Sequence, residues 1–274
     1  MNADAYFTIG KEHVQKDPFV CQDYAAVVGP GRVVLSDGCS SSRHTDFGAR
    51  LLCRYGAQHG PSVAPLLAAT ALGPLGLPPE CLDATLLIAR YQETRYGVQV
   101  LAAGDGFVAA RRRQGGYVLI HLEFPSGAPR YLNYDLNPTR RGMYLQQYPG
   151  KLVITRTDGA SVTVEERELT DAEFTVPDFF FPADEFDLVE VFSDGAASFA
   201  RPKDPATPWV TVPVPVTEVV EEMLAIKGYA GVFLARRALR FLKDCTAKGW
   251  THFDDFSVAG IYLGDEVQPS GTAS

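Results

Sequence analysis

A short apolar run that stops at an acid and a glycine occurs twice in this chain, and the recurrence constrains the fold more than any other feature. Arg32-Val33-Val34-Leu35-Ser36-Asp37-Gly38 is the first copy, and Leu188-Val189-Glu190-Val191-Phe192-Ser193-Asp194-Gly195 is the second. In each, the apolar residues suit a buried strand, the acid sits where the strand leaves the core, and the glycine lets the chain turn sharply. A carboxylate held at a strand end beside a bare carbonyl is a half-site for a hard cation. A single Asp-Gly is equally a common turn signal, so the reading depends on the repetition.

Two further stretches extend the pattern. Val100-Leu101-Ala102-Ala103-Gly104-Asp105-Gly106 is a looser copy, and Phe253-Asp254-Asp255-Phe256-Ser257 sets two acids just before the strand-like Val258 to Leu263. Asp23 precedes Tyr24 to Val28, and Gly29-Pro30-Gly31 makes that run and Arg32 to Ser36 a hairpin. The hairpin brings Asp23 and Asp37 to the same end of a sheet. Acids at several strand ends are expected to converge on one site.

Size alone does not choose between one large domain and two small ones at 274 residues. No domain linker or long repeat is visible, so residues 1–264 are expected to form a single domain, with 265–274 as a flexible tail. Hydrophobic residues at 46% and charged residues at 21% suit a soluble globular protein. A net charge of −8 argues against a general nucleic-acid binder, which needs a basic face. Arg111-Arg112-Arg113 is the one obvious basic run, and a solvated strand end or hairpin tip is expected there rather than a phosphate contact. The five cysteines are scattered without a Cys-x-x-Cys pair, which favours reduced thiols over a zinc site or disulfide framework. No signal peptide or membrane span is legible, and a cytoplasmic location without a membrane partner is expected.

Along the chain, Tyr6 to Ile9 reads as a first strand and Lys11 to Cys21 as a strand edge or loop. Phe47 to Gln58 and Ser62 to Leu72 read as helices, the first capped by Thr45 or Asp46. Four strand-like runs between Thr85 and Leu122, with short turns between them, predict an antiparallel meander. Phe124 to Gly150 reads as irregular, a flap over a cleft. Lys151 to Arg156 and Ser161 to Glu166 form a hairpin. Phe179 to Pro182 suits the core, and Arg201 to Pro215 reads as a loop. Two helices broken near Lys227-Gly228 fill Thr217 to Lys248.

Neighbouring carboxylates repel unless something positive lies between them. With no basic cluster nearby in sequence, Mg²⁺ or Mn²⁺ bound through oxygen is the natural neutraliser. Two such ions can activate water and clamp a phosphate, so no serine, cysteine or histidine nucleophile is required. Ser36 and Ser193 are expected to turn or pack rather than attack.

Gln22-Asp23, Ser36-Asp37-Gly38, Gly104-Asp105-Gly106, Ser193-Asp194-Gly195 and Asp254-Asp255-Phe256-Ser257, in that order, resemble the motif series of the metal-dependent type 2C (PPM) serine/threonine protein phosphatases. Gly10-x-x-His13 leading to Cys21-Gln22-Asp23 is similar to a bacterial branch of that family. The resemblance implies an α+β fold of four layers, α/β/β/α, in which a central antiparallel β-sandwich is flanked by helix pairs. It implies that Asp37 bridges two Mg²⁺ or Mn²⁺ ions with the Gly38 carbonyl completing the second site. Asp194 and Asp254 would hold the first ion, Asp23 would contact metal-bound water, and Asp105 would belong to a third, weaker site. The implied activity is hydrolysis of phosphoserine and phosphothreonine by a metal-bridging hydroxide. The implied partner is a phosphoprotein substrate, such as the target of a cognate serine/threonine kinase.

The sequence departs from that pattern at several positions. Gln22 replaces a glutamate, and no arginine stands just upstream, leaving His13 or Lys16 as the phosphate contact. Cys39 occupies the place of a histidine after Asp-Gly, with His44 as a stand-in, and Ser198 replaces an accessory aspartate. These departures keep open a second expectation, a regulatory binding module of the same fold with little or no turnover.

Overall fold

The structure, a computed structural model, describes residues 1–204, 206–207 and 209–264. The expected tail at 265–274 lies outside the described residues. In chain order, β1 (Asn2–Thr8), α1 (Lys11–Lys16), β2 (Tyr24–Gly29) and β3 (Arg32–Ser36) precede helices α2 (Thr45–His59) and α3 (Ala64–Leu72). Strands β4 (Leu86–Gln92), β5 (Gly97–Ala103), β6 (Gly106–Arg112) and β7 (Tyr117–Glu123) follow, then helix α4 (Pro138–Gln147). The second half begins with β8 (Lys151–Asp158), β9 (Ser161–Glu168), β10 (Asp178–Pro182), β11 (Phe186–Phe192), β12 (Phe199–Pro202) and β13 (Thr211–Pro213). Helices α5 (Val216–Leu224) and α6 (Phe233–Ala247) and strands β14 (Thr251–His252) and β15 (Phe256–Tyr262) complete it.

Among the described residues the strands form a five-stranded sheet (β10-β5-β4-β3-β2), a seven-stranded sheet (β1-β15-β11-β6-β7-β8-β9) and a small three-stranded one. The period of two along each strand explains how the large sheets stack. Val33 and Leu35 of β3, with Leu87 and Ala89 of β4, meet Val108 and Ala110 of β6 and Val189 and Val191 of β11 between the sheets. On the reverse face, Val34, Leu86 and Ile88 are covered by Leu52, Cys53 and Ala57 of α2 and Ala68 and Leu72 of α3. Phe107, Phe192 and Val258 turn the other way, onto Val219 and Met223 of α5 and Phe233, Ala238 and Phe241 of α6. The result is the α/β/β/α arrangement expected from the sequence. Each fully buried Val, Leu or Phe contributes about 1.5–3 kcal/mol, so the stacking is fixed by the three apolar layers.

The expected meander is corrected. β4 pairs with β5 and β6 with β7, but β5 and β6 lie in different sheets. Gly104-Asp105-Gly106 therefore crosses between layers instead of joining neighbours. Both glycines have left-handed backbones, φ +112° and +128°, that a side chain would strain. A Cβ on Gly104 would lie 2.6 Å from Thr85 Cγ2, and one on Gly106 2.6 Å from the Phe192 carbonyl oxygen. The crossover is thus pinned between the start of β4 and the end of β11.

Other expectations also shift. Part of the presumed edge after Gly10 is the short helix α1, and the presumed flap contains α4. Strands β12 and β13 lie within or beside the presumed loop at 201–215. His44, not Thr45 or Asp46, occupies the N-cap of α2, without a side-chain cap bond. The arginine run is bound rather than solvated: Arg111 pairs with Asp187 and Arg112 with Asp158, both at 2.6 Å. Arg113 Nε donates to the Ala183 carbonyl at 2.7 Å.

Candidate active site

The end of β3 is held before any ion is considered. The Ser36 hydroxyl donates to the Thr85 carbonyl, the Asp37 amide donates to Thr85 Oγ1 at 2.9 Å, and the Thr85 amide donates to the Asp37 carbonyl at 2.8 Å. Gly38 bridges to Ala84, and its amide donates to the Gln22 carbonyl at 3.2 Å. Asp23 enters through the hairpin, in which Tyr24 faces Ser36. The expected co-location of Asp23 and Asp37 follows.

The other sheet supplies Asp194 and Asp254. The Ser193 amide donates to the Ser257 carbonyl at 3.2 Å, and Asp194 then opens a turn of 3-10 helix. That turn sits directly on the second acidic pair, because a Cβ on Gly195 would lie only 1.7 Å from the Asp255 carbonyl oxygen. Ser193 also links the sheets, since its hydroxyl donates to Asp23 Oδ2 at 2.7 Å and accepts from the Ser257 amide at 3.1 Å. Neither Ser36 nor Ser193 is free to attack.

Asp37, Gly38, Asp105, Asp194, Asp254 and His13 line one cleft of about 260 Å³. Asp37 and Asp194 lie close enough for the charge of one to act on the other. Burial, then the charges of Asp23 and Asp194, raise Asp37 well above the usual carboxylate range. Burial and Asp194 likewise raise Asp105 and, to a lesser degree, Asp254. Asp23 lies fully buried behind the cleft, and that burial pushes it up to about 7 against the bond from the Ser193 hydroxyl. Oδ1 of Asp23 and Oδ1 of Asp194 are buried without a hydrogen-bond partner.

His13 is the single basic side chain among the cleft residues. Its Nδ1 lies 2.9 Å from Asp255 Oδ1 and its Nε2 3.5 Å from Asp254 Oδ1. Contact with Asp255 raises the His13 pKa against the opposing effect of burial. Asp255 is itself fixed by the amides of Gly10 at 2.7 Å and Gln22 at 2.6 Å. Burial pushes Asp255 up, yet His13 and these amides bring it below the usual range.

Lys16 is exposed on α1 and outside the cleft lining, though near enough for its charge to oppose that of His13. His44 is exposed and also outside the lining. Gln22 turns its side-chain amide to Thr45 Oγ1 at 2.7 Å and the Cys39 carbonyl at 3.3 Å. Cys39 lines the cleft, and Ser198 bonds back to the Gly195 carbonyl at 2.8 Å.

Sequence reasoning missed Asp255, which holds His13, and the tyrosines Tyr131, Tyr134, Tyr144 and Tyr148, which form a wall of the cleft. The Asp254-Asp255 doublet signalled the first without dividing the labour between the two acids. The spacing of Tyr144 and Tyr148 by one helical turn was the available signal for the wall.

A site for a hard cation must offer oxygen donors that nothing else neutralises. The cleft lining holds four carboxylates and no lysine or arginine, and one cleft carboxylate oxygen and one behind it have no partner. In donor type these residues fit Mg²⁺ or Mn²⁺. Among the described residues, no three His, Cys, Asp or Glu side chains stand close enough to hold one ion as placed.

No family model and no curated protein matches the chain. Solved structures do. A bacterial serine phosphatase superposes with a TM-score of 0.55 at 10% identity, over 97% of this chain and 100% of the other. The serine/threonine phosphatase Stp1 from Staphylococcus aureus superposes with a TM-score of 0.53 at 12% identity, over 96% of each chain. At such identities the likeness concerns the path of the backbone. The chain has the fold of the bacterial type 2C serine/threonine phosphatases.

Proposed function

We propose that this chain is a Mg²⁺- or Mn²⁺-dependent phosphatase that hydrolyses phosphoserine and phosphothreonine in proteins, and that residues 1–264 act as one domain. The observation that carries the reading is the meeting of Asp37, Asp105, Asp194 and Asp254 in one cleft from which lysine and arginine are missing. Asp37, Asp194, Asp254 and the Gly38 carbonyl would hold two ions, with Asp23 behind them and Asp105 at a third, weaker position. Divalent ions bound there supply Lewis acidity, polarising a phosphoryl oxygen and making water a nucleophile at neutral pH.

The chain's own residues set the rest of the geometry. Thr85 fixes the backbone of Asp37 on both sides, so that carboxyl cannot drift from the sheet end. Asp255 orients His13, whose Nε2 is the basic group placed to bond a phosphoryl oxygen where the family carries an arginine. Lys16, on the exposed rim, is the remaining cationic contact for an approaching substrate.

A second reading, a regulatory module, is favoured by one observation: Gln22 spends its amide on Thr45 and Cys39 and brings no charge to the cleft. One pair of measurements separates the two. Mn²⁺ should raise the unfolding midpoint and should drive phosphate release from a phosphoserine peptide, and Asp37→Ala and Asp194→Ala should abolish the release. A rising midpoint with no release identifies the module. Undiminished release from either variant refutes the proposed roles of these acids.

A further inference from the structure

The cleft lining combines two chemically different groups, the carboxylates Asp37, Asp105, Asp194 and Asp254 and the aromatic rings of Tyr131, Tyr134, Tyr144 and Tyr148. Successive ring centroids stand 5.6, 5.3 and 5.5 Å apart, so the four rings make one continuous aromatic surface. Tyr131 and Tyr144 are buried and serve as its base, whereas Tyr134 and Tyr148 are half-buried and present area to a ligand.

This wall is preformed. Asn133 Nδ2 donates to the Pro79 carbonyl at 2.8 Å and to Asp83 at 3.1 Å, and Arg140 reaches the same Asp83 at 2.7 Å. Tyr144 Oη donates to the Ala128 carbonyl at 2.9 Å. Arg130, almost wholly buried, ties the segment to Asp135 and to the Thr170 and Ala172 carbonyls. A surface already fixed in this way loses little freedom when a ligand arrives.

We propose that the tyrosine wall is the specificity surface of this cleft and selects phosphopeptides that carry an arginine or lysine beside the phosphorylated residue. The inference rests on the phosphatase reading of the same cleft. An aromatic face attracts a cation through its quadrupole. The protein already uses the contact once, with the Arg140 guanidinium 5.0 Å from the Tyr134 centroid, which leaves Tyr148 as the half-buried ring without a cation of its own among the described residues. An aliphatic neighbour would gain apolar contact without that attraction, and an acidic neighbour would meet the negative face of the rings.

The test measures binding of peptides that cannot be turned over. Fluorescent peptides carrying a non-hydrolysable phosphonate in place of the phosphoserine phosphate, with arginine, norleucine or glutamate next to it, are titrated with the full chain in Mn²⁺ at fixed ionic strength, and hydrolysis of the matching phosphoserine peptides is followed separately. The expected order is arginine, norleucine, glutamate, with about a tenfold step between the first two. In Tyr134→Leu/Tyr148→Leu the arginine-to-norleucine ratio should fall to about one. Equal binding of the two peptides, preference for glutamate, no binding at all, or an unchanged ratio in the double variant overturns the proposal. Absent hydrolysis with the preference intact sinks only the phosphatase reading. Should circular dichroism show the double variant unfolded, Tyr148→Leu alone supplies the comparison.

Discussion

Glu190 offers a measurable consequence of how the seven-stranded sheet meets its helices. It stands in β11 opposite Gly260 of β15, fully buried, where the Cβ missing from Gly260 would touch both Glu190 Cγ and Leu234 Cδ1 of α6. Neither carboxylate oxygen has a hydrogen-bond partner. Burial pushes its pKa from 4.5 to about 8, against the weaker pull of Arg111 and Arg237. The folded chain therefore keeps a proton that the unfolded chain loses. A raised carboxylate pKa leaves stability whole below the unfolded value and erodes it as pH climbs towards the folded one. At 1.36 kcal/mol per unit, the erosion is about 3 kcal/mol at pH 7 and levels near about 5 kcal/mol above pH 8. Glu190→Gln keeps the shape and removes the titration. Urea midpoints measured from pH 4.5 to 9 should coincide at the acid end and diverge in favour of glutamine by those amounts. The acids of the cleft titrate in both proteins and cancel in the difference. A difference that stays flat across the range would refute the reasoning, because it would mean that Glu190 ionises alike in both states.

Two further outcomes follow from the packing. Gly195→Ala forces a Cβ against the Asp255 backbone and should cost about 3 kcal/mol in urea unfolding while weakening the Mn²⁺-induced rise in midpoint. Arg140→Ala removes the cationic partner of Asp83, whose side chain is only 3% exposed and keeps just the neutral donors Asn133 and Ser42, and should speed amide exchange in residues 132–147 by tenfold or more while the strands of the sandwich keep theirs.

How far the sequence could be read depended on the range of the interactions involved. The hairpin of β2 and β3 was legible because its signal, an apolar run on each side of Gly-Pro-Gly, is local. The recurring acid at a strand end was legible for the same reason, and it led to the cleft. The split between β5 and β6 was not, since a three-residue turn looks alike whether it joins neighbours or crosses between layers. What decides is the contact of its glycines with Thr85 and Phe192, the second of them far along the chain. Arg111 and Arg112 look solvated from sequence alone because Asp187 and Asp158 lie 76 and 46 positions away. Helix α4 was hidden by polar residues and a glycine, and it holds its place through Arg140 and Tyr144 rather than through an apolar face.

The sandwich divides its acids, Asp23 and Asp37 riding on one sheet and Asp194 and Asp254 on the other, with Asp105 on the strap between. The spacing of the cleft is consequently a gauge of how the two sheets slide over one another. Side chains buried midway, such as Val33 and Val108 of the shared core, set that gauge without belonging to the cleft lining. An ion gripped from both sides would act as a rivet through the stack, so enlarging or trimming the interior should be felt first as a change in metal affinity.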